Sequence, residues 1–303
     1  MSLASALATV APFLLAPALL GVITRTKAIV AGRTGAPLLQ PYYDLIKLMR
    51  KSVVYSRTTS WVFRAGPVVG LAALTVATLV VPFGGVPAPL GFEGDLIGFA
   101  YLLGLLRFFT VIAALDTGSS FEGMGASREV SFASLAEPAL LLGLAAVARK
   151  TGSASLSIMY AHVNAAAWAG SAPMFALVAG ALLVVFLAEN ARVPVDDPTT
   201  HLELTMIHEV MVLDHSGPDL AFILYGSALK LWLLGALVVG LVLPVRSGGL
   251  WLDAGTALAG MFALAVLVGL IESSMARWRL VRVPQLLVGA GVMAAIAFVF
   301  MLG

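Results

Sequence analysis

The sequence predicts an all-α membrane protein, with about eight transmembrane helices and one amphipathic surface helix in a single domain spanning residues 1–303. Of its 303 residues, 60% are hydrophobic and only 11% are charged. A soluble domain usually carries roughly 25% charged residues. These proportions exclude a soluble enzyme, a disordered chain and a nucleic-acid-binding protein. The absence of cysteine excludes disulfides, thiolate zinc sites and cysteine-ligated iron–sulfur clusters in this chain.

Eight long apolar stretches define the predicted spans. A bilayer core about 30 Å thick requires about 20 apolar residues in a helix. The stretches that meet this requirement are approximately residues 3–23, 62–82, 96–115, 130–148, 172–188, 219–243, 252–271 and 283–302. Within the second span, Gly66 and Gly70 form a G-x-x-x-G pair, which favours close packing against another helix.

The distribution of lysine and arginine predicts how the chain is oriented. Thirteen of these residues lie on or directly beside loops 24–61, 116–129, 189–218 and 272–282, whereas three lie on the opposite loops. Because cytoplasmic loops carry an excess of positive charge, we expect these four loops to be cytoplasmic and both termini to lie on the outer side. The sequence therefore predicts a multi-pass protein of the cell (inner, or cytoplasmic) membrane.

Residues 41–51 predict the amphipathic helix. Tyr42, Leu45, Ile46 and Met49 recur at helical spacing on one side, and the charged residues of the segment fall on the other. Such a helix is typical of a membrane surface. It is either an anchor in the lipid headgroups or a docking face for a soluble partner. The predicted docking face combines its charges with those of other cytoplasmic loops: Asp44, Lys47, Arg50, Lys51, Arg128, His201 and His208.

Ionisable residues inside the spans indicate either internal pairing or an ion relay. Arg107, Glu137 and Lys230 fall within predicted spans, and Glu189 and Glu272 fall at inner ends. Each charge at mid-membrane costs roughly 2.5–3.5 kcal/mol on insertion scales, so an unpaired one is not expected without a role. Pairing of Glu137 with Arg107 or Arg128 would only hold helices together. A relay would use the same carboxylates and lysine to move protons.

The loop between the fifth and sixth spans carries the densest set of charges. Glu189 and Arg192 are one helical turn apart, so a continued helix would pair them. Pro194 and Pro198 interrupt regular helix, and a new helix is expected from His201 to about Leu213. His201, His208 and His215 recur every seven residues, about 10.5 Å apart in a helix. This spacing is too wide for one shared metal ion and favours interface contacts or proton carriage.

Several motifs in fixed order resemble one known family. They are G-A-P-L-L-Q-P-Y-Y-D-L-I-K-L-M-R-K, L-D-T-G-S-S-F-E-G-M-G-A-S-R-E, the pair E-x-x-R-x-P-x-D and H-L-E-L-T-M-I-H-E, and I-E-S-S-M-A-R-W-R-L. The chain is similar to the membrane anchor subunit shared by respiratory complex I (its subunit 1) and energy-converting [NiFe]-hydrogenases, including formate hydrogenlyase subunit 4. The resemblance covers nearly the whole chain and implies the same eight spans.

The resemblance implies a role in docking and coupling. Glu189, Arg192, Pro194, Asp196 and Glu203 match the family's acidic loop, and Glu137 matches its intramembrane glutamate. The implied chain holds no cofactor. It docks hydrogenase-type large and small (iron–sulfur) subunits, which carry a nickel–iron site and iron–sulfur clusters, on its cytoplasmic face, and it adjoins antiporter-like membrane subunits in the lipid bilayer. No nucleic acid is implied. The predicted relay comprises Arg107, Glu137, Glu189, Arg192, Asp196, Asp197, Glu203, Glu209, Lys230 and Glu272.

Two other functions are alternatives. A quinone-chamber subunit of a complex I-like oxidoreductase typically reads P-F-D-x-x-E-A-E/D-x-E-L and then E-Y-S-G. Here Thr199, Thr200 and His201 replace the first acidic stretch, and D-H-S-G replaces E-Y-S-G, which favours the hydrogenase-type branch. A free-standing secondary transporter is a third interpretation, although the repeat symmetry of that class is not visible.

Overall fold

The computed structural model describes residues 3–196 and 207–301, and their regular structure is helical. The α-helices are α1 (Leu3–Val30), α2 (Gln40–Met49), α3 (Trp61–Val80), α4 (Asp95–Asp116), α5 (Ser120–Thr151), α6 (Leu156–His162), α7 (Ala165–Glu189), α8 (Gly217–Val242), α9 (Leu250–Ser274) and α10 (Val283–Val299). Short 3-10 helices cover Val210–Val212 and Leu280–Arg282.

Eight of these helices are long and apolar enough to cross a membrane: α1, α3, α4, α5, α7, α8, α9 and α10. This confirms the predicted all-α polytopic fold. The amphipathic helix of residues 41–51 is also present as α2, with Asp44, Lys47, Arg50 and Lys51 exposed on or just beyond it. Ile46 and Met49, which we expected on its apolar face, are each 51% exposed.

α8 lies at the centre of the helices and packs against α1, α2, α3, α7 and α9. Its residues from Leu231 to Val239 are almost all buried, and its Trp232 ring lies 5.2 Å from the Phe83 ring. α3 and α4 pack closely at the predicted glycine pair. A Cβ added at Gly66 would lie 2.9 Å from the Ala113 Cβ, and one at Gly70 would lie 2.9 Å from Leu106 Cδ1.

α1 contains a proline whose local defect is satisfied by a neighbouring helix. Pro17 has no N–H to donate to the carbonyl of Phe13, four residues earlier. The Tyr225 hydroxyl of α8 donates to that carbonyl at 2.8 Å, and the Tyr42 hydroxyl of α2 donates to the next one, on Leu14. α1, α2 and α8 are therefore joined by hydrogen bonds within otherwise apolar surroundings.

Several helix boundaries differ from the prediction. α1 continues seven residues beyond residue 23, because hydropathy marks the apolar run while the helix itself ends only near Gly32, where φ is +66°. α5 begins at Ser120, so the predicted loop 116–129 is mostly helix. α7 begins at Ala165 and is kinked at Ser171, two residues before Pro173. α6 was not predicted. The described part of the helix expected over 201–213 is a turn and a 3-10 helix, and residues 201–206 lie outside the described range.

Candidate functional site

Arg107 is the centre of a cluster of charged side chains inside the helices. It lies about the middle of α4, roughly 18 Å along the helix from Asp95. Its guanidinium contacts three carboxylates. Arg107 Nε lies 3.1 Å from Glu129 Oε1 and Nη2 lies 2.5 Å from Glu189 Oε1. Nη1 contacts the Glu137 carboxylate. One cation thus links α4, α5 and the end of α7.

The cluster continues into α8 through Lys230. The Lys230 Nζ lies 3.0 Å from Glu189 Oε2, so Glu189 bridges two basic side chains. The side chains of Arg107, Glu189 and Lys230 are only 11%, 6% and 13% exposed. Breaking a buried ion pair by removing one partner is costly, because the other charge stays buried without compensation. The pairs therefore hold α4, α5, α7 and α8 in register.

His208 connects the cluster to the loops. Its Nε2 lies 3.1 Å from Glu129 Oε2, and its Nδ1 lies 3.9 Å from Asp196 Oδ2. Asp196 in turn lies 3.0 Å from Arg277 Nη2, on the segment after α9. Asp196 also accepts a hydrogen bond from the Ile207 backbone N–H at 3.2 Å. A continuous series of ionisable groups therefore leads from the loop residues Arg277 and Asp196 to the intramembrane carboxylates.

We call this set the Arg107 network: Arg107, Glu129, Glu137, Glu189, Asp196, His208, Lys230 and Arg277. Its carboxylates outnumber its three permanently basic side chains by one. Histidine is the side chain whose ordinary pKa lies close to neutrality. One proton on His208 therefore equalises the charges within the named set.

Glu137 differs from the other members in its exposure. It lies 17 residues into the 32-residue α5, near the middle of the span. Its side chain is 46% exposed, whereas that of Arg107, which it contacts, is 11% exposed. Next to it, Pro138 removes the N–H that would bond the carbonyl of Ser134. The surface of α5 therefore carries polar groups at mid-membrane depth.

A second, smaller cluster surrounds Glu272 at the end of α9. Its carboxylate side chain is fully buried. Glu272 Oε2 lies 2.9 Å from Lys27 Nζ of α1, and Oε1 lies 3.4 Å from Arg192 Nη1. The predicted pair of Glu189 with Arg192 is wrong. α7 ends at Glu189, and Ala191 takes a φ of +51°, so Arg192 is no longer one helical turn from Glu189.

The structure brings together six of the predicted residues in the Arg107 network and places two, Arg192 and Glu272, around the second cluster. Glu209 is half-buried beside the 3-10 helix of Val210–Val212, and Arg128 is half-buried on α5. Asp197, His201 and Glu203 lie outside the described residues. Sequence reasoning missed Glu129, Lys27 and Arg277 as members of the clusters. Glu129 precedes Glu137 by eight residues, about two turns of one helix, but the sequence predicts a loop at Glu129.

His215 does not share the environment of His208. Its ring stacks on Phe63 with centroids 3.9 Å apart and an angle of 7° between planes. Burial lowers the pKa of His215 to about 4. Among the described residues, no three His, Asp or Glu side chains form a group that could hold a metal ion.

Comparison with known proteins finds one family over nearly the whole chain. Residues 4–303 match the family described as NADH dehydrogenase. The chain is 32% identical to formate hydrogenlyase subunit 4 of Escherichia coli, covering 96% of this chain and 95% of the relative. It is 30% identical to hydrogenase-4 component C of Escherichia coli, covering 95% and 92%.

Similarity to quinone-linked relatives covers less of the chain. An NADH-quinone oxidoreductase membrane subunit of Rubrobacter xylanophilus is 30% identical over 55% of this chain and 51% of the relative. Among solved structures, a chain of the membrane-bound sulfane sulfur reductase, an archaeal respiratory membrane complex, superposes with a TM-score of 0.82 at 20% identity, covering 99% and 98% of the two chains. This likeness establishes the shared fold.

Proposed function

The chain belongs to the NADH dehydrogenase family, and from this premise we propose that it is the membrane anchor and coupling subunit of an energy-converting [NiFe]-hydrogenase complex of the formate hydrogenlyase type. The extent of similarity supports the hydrogenase branch. The two hydrogenase-type relatives align over at least 92% of their lengths, whereas the Rubrobacter xylanophilus oxidoreductase relative aligns over 51%. Quinone binding is the alternative, and a photoreactive quinone analogue should give no specific label on this chain.

The observation that carries the proposal is the continuity of the Arg107 network. Ionisable groups no more than 3.9 Å apart run from Arg277 through Asp196 and His208 to Glu129. Arg107 then joins Glu129 to Glu137. In a medium with an effective dielectric constant near 20, two unit charges 3.1 Å apart interact by about 5 kcal/mol. A change of charge at the loop end is therefore felt strongly at the next group.

The loop end of the network is the proposed receiver of the redox signal. A hydrophilic arm docks on the side where Asp196, His208 and Arg277 lie, together with the exposed charges of α2. Because this chain has no cysteine, the thiolate ligands of the nickel–iron site and the iron–sulfur clusters belong to the docked large and small subunits. Electron transfer there shifts the charge next to His208, which passes or withdraws a proton at Glu129.

Glu137 is the proposed exit from this chain toward antiporter-like membrane subunits. A half-exposed carboxylate at mid-membrane requires a polar neighbour rather than lipid. The same face of α5 exposes the hydroxyl-bearing residues Ser127, Ser131 and Ser134. Small residues of this kind allow another transmembrane helix to approach closely. A neighbouring subunit would cover Glu137 there and continue the path for protons or sodium ions.

The proposal is tested by Glu137→Gln in the intact complex reconstituted into vesicles. The variant keeps the shape and a hydrogen-bonding oxygen for Arg107 but cannot carry a proton. Positioned acid–base groups accelerate proton transfer by roughly 10²–10⁴-fold, so pumping per electron should fall to near zero while hydrogen-linked electron transfer continues. Glu93→Gln is the matched control, because Glu93 accepts hydrogen bonds from Ser153 and Ala154 far from the network. Unchanged pumping in Glu137→Gln would refute the relay.

A further inference from the structure

An open groove of about 820 Å³ lies beside the end of α1, away from the Arg107 network. Lys27, Arg33 and Thr34 supply its polar groups, and Ala28, Val30 and Ala31 supply apolar surface. Ser273, at the end of α9, forms part of the opposite wall. Its hydroxyl already donates to the Gly269 carbonyl at 2.6 Å. The groove thus combines cationic donors with an apolar wall.

The charges around the groove are predominantly positive. Lys27 shares the buried Glu272 carboxylate with Arg192, so two cations face one anion there. The ammonium group of Lys27 has three donors, and only one is needed for Glu272. The Arg33 side chain is exposed, and no ion pair holds it within residues 3–196 and 207–301. The Arg25 guanidinium donates to the Thr34 carbonyl, which fixes the loop that carries Arg33.

The position of the groove along α1 is that of the headgroup layer. The apolar run of residues 3–23 is about as long as a bilayer core is thick. α1 continues to Val30, about 10 Å beyond that run at 1.5 Å per residue. Ile29 and Val30 are 65% and 51% exposed there. Apolar side chains beside exposed basic groups at this depth suit acyl chains and a charged headgroup together.

We propose that this groove binds an anionic phospholipid. The Arg33 guanidinium holds the headgroup phosphate, because its planar donors match phosphate oxygens in a bidentate arrangement. The Thr34 hydroxyl and the remaining Lys27 donors complete the contact, and the acyl chains lie against Val30 and Ile29. Bound lipid would then lie next to the pair of Lys27 with Glu272 and would fix the ends of α1 and α9 relative to each other.

The test uses the intact complex in lipid nanodiscs that contain a small fraction of photoactivatable phosphatidylglycerol. After irradiation, labelled peptides are mapped by mass spectrometry. We expect label on the segment around residues 28–35, and Arg33→Gln should reduce it about fivefold, since each basic residue near an anionic surface contributes about that factor in affinity. Arg57→Gln is the matched control, because Arg57 is an exposed arginine on the same loop but does not line the groove.

Three outcomes would overturn the proposal. Equal labelling by a photoactivatable phosphatidylcholine would mean that the groove does not select negative charge. Competition by inorganic phosphate at constant ionic strength would identify a free-phosphate site instead of a lipid site. Absence of label from the segment in the intact complex would mean that another subunit covers the groove. These readouts are independent of ion pumping, so they separate the lipid site from the coupling role.

Discussion

Replacing Arg107 with glutamine should destabilise the folded subunit by about 3–5 kcal/mol, the usual cost of removing one partner from buried ion pairs. The guanidinium contacts Glu129, Glu137 and Glu189. Without it, His208 and Lys230 are the remaining basic contacts of Glu129 and Glu189 in the Arg107 network.

The geometry sets the size of this effect. At an effective dielectric constant of 20, the 3.1 Å contact between Arg107 and Glu129 corresponds to about 5 kcal/mol of gross attraction. Desolvation of the charges cancels part of each such attraction, so the net cost is smaller than the sum of three contacts. Since native stability is typically 5–15 kcal/mol, a loss of 3–5 kcal/mol should strongly lower the amount of folded protein.

A double-mutant cycle separates this electrostatic cause from a packing defect. Glu129→Gln removes one of the carboxylates that Arg107→Gln leaves unpaired, so the double variant should regain about 1–3 kcal/mol, the range of coupling expected for contacting residues. Thermal unfolding in detergent micelles, followed by size-exclusion fluorescence, measures both variants. Arg149→Gln, on the exposed end of α5, is the control. If Arg107→Gln is as stable as wild type, or if Glu129→Gln gives no recovery, the network does not hold the helices together.

Two further predictions concern acid stability and helix packing. Because burial lowers the pKa of His215 to about 4 and the unfolded side chain titrates near 6.5, the unfolded state binds more protons between these pH values. His215 should therefore cost about 2–3 kcal/mol of stability as the pH falls from 7.5 to 4.5, and His215→Phe should lose less stability over that interval in pH-dependent unfolding. Gly66→Leu should cost about 1–3 kcal/mol by forcing α3 from α4 at Ala113. Gly104→Leu, with nothing within 4 Å of its Cβ, should be near neutral in the same thermal assay.

Much of the fold was predictable because the eight spans are set by hydropathy, a property of consecutive residues. The paired glycines Gly66 and Gly70 were predictable as well, since small residues at helical spacing indicate close packing before the partner helix is known. Helix ends were less predictable. Glycine conformation and proline position decide where α1 and α5 end or begin, and neither changes hydropathy much. The orientation of the termini stays a prediction.

The pairing of charges was only partly predictable. The contact of Arg107 with Glu137 is one of two alternatives that the sequence leaves open, and the structure contains it. Glu129 was missed because it lies on the N-terminal part of α5, which is polar enough to resemble a loop. The pairs of Lys230 with Glu189 and of Lys27 with Glu272 join segments far apart in the chain. Periodicity within one helix indicates which residues share a face, but not which helix lies opposite.

The half-exposed Glu137 also has a consequence for biogenesis. A newly inserted chain that has not yet met its neighbours presents this carboxylate sideways to the acyl chains, where a charged group is unfavourable. Such an orphan chain would be less persistent in the membrane than the assembled one and more accessible to quality-control proteases. The amount of this subunit in the cell should therefore follow the supply of the neighbour that covers α5, which would keep the stoichiometry of the assembly balanced without a separate regulator.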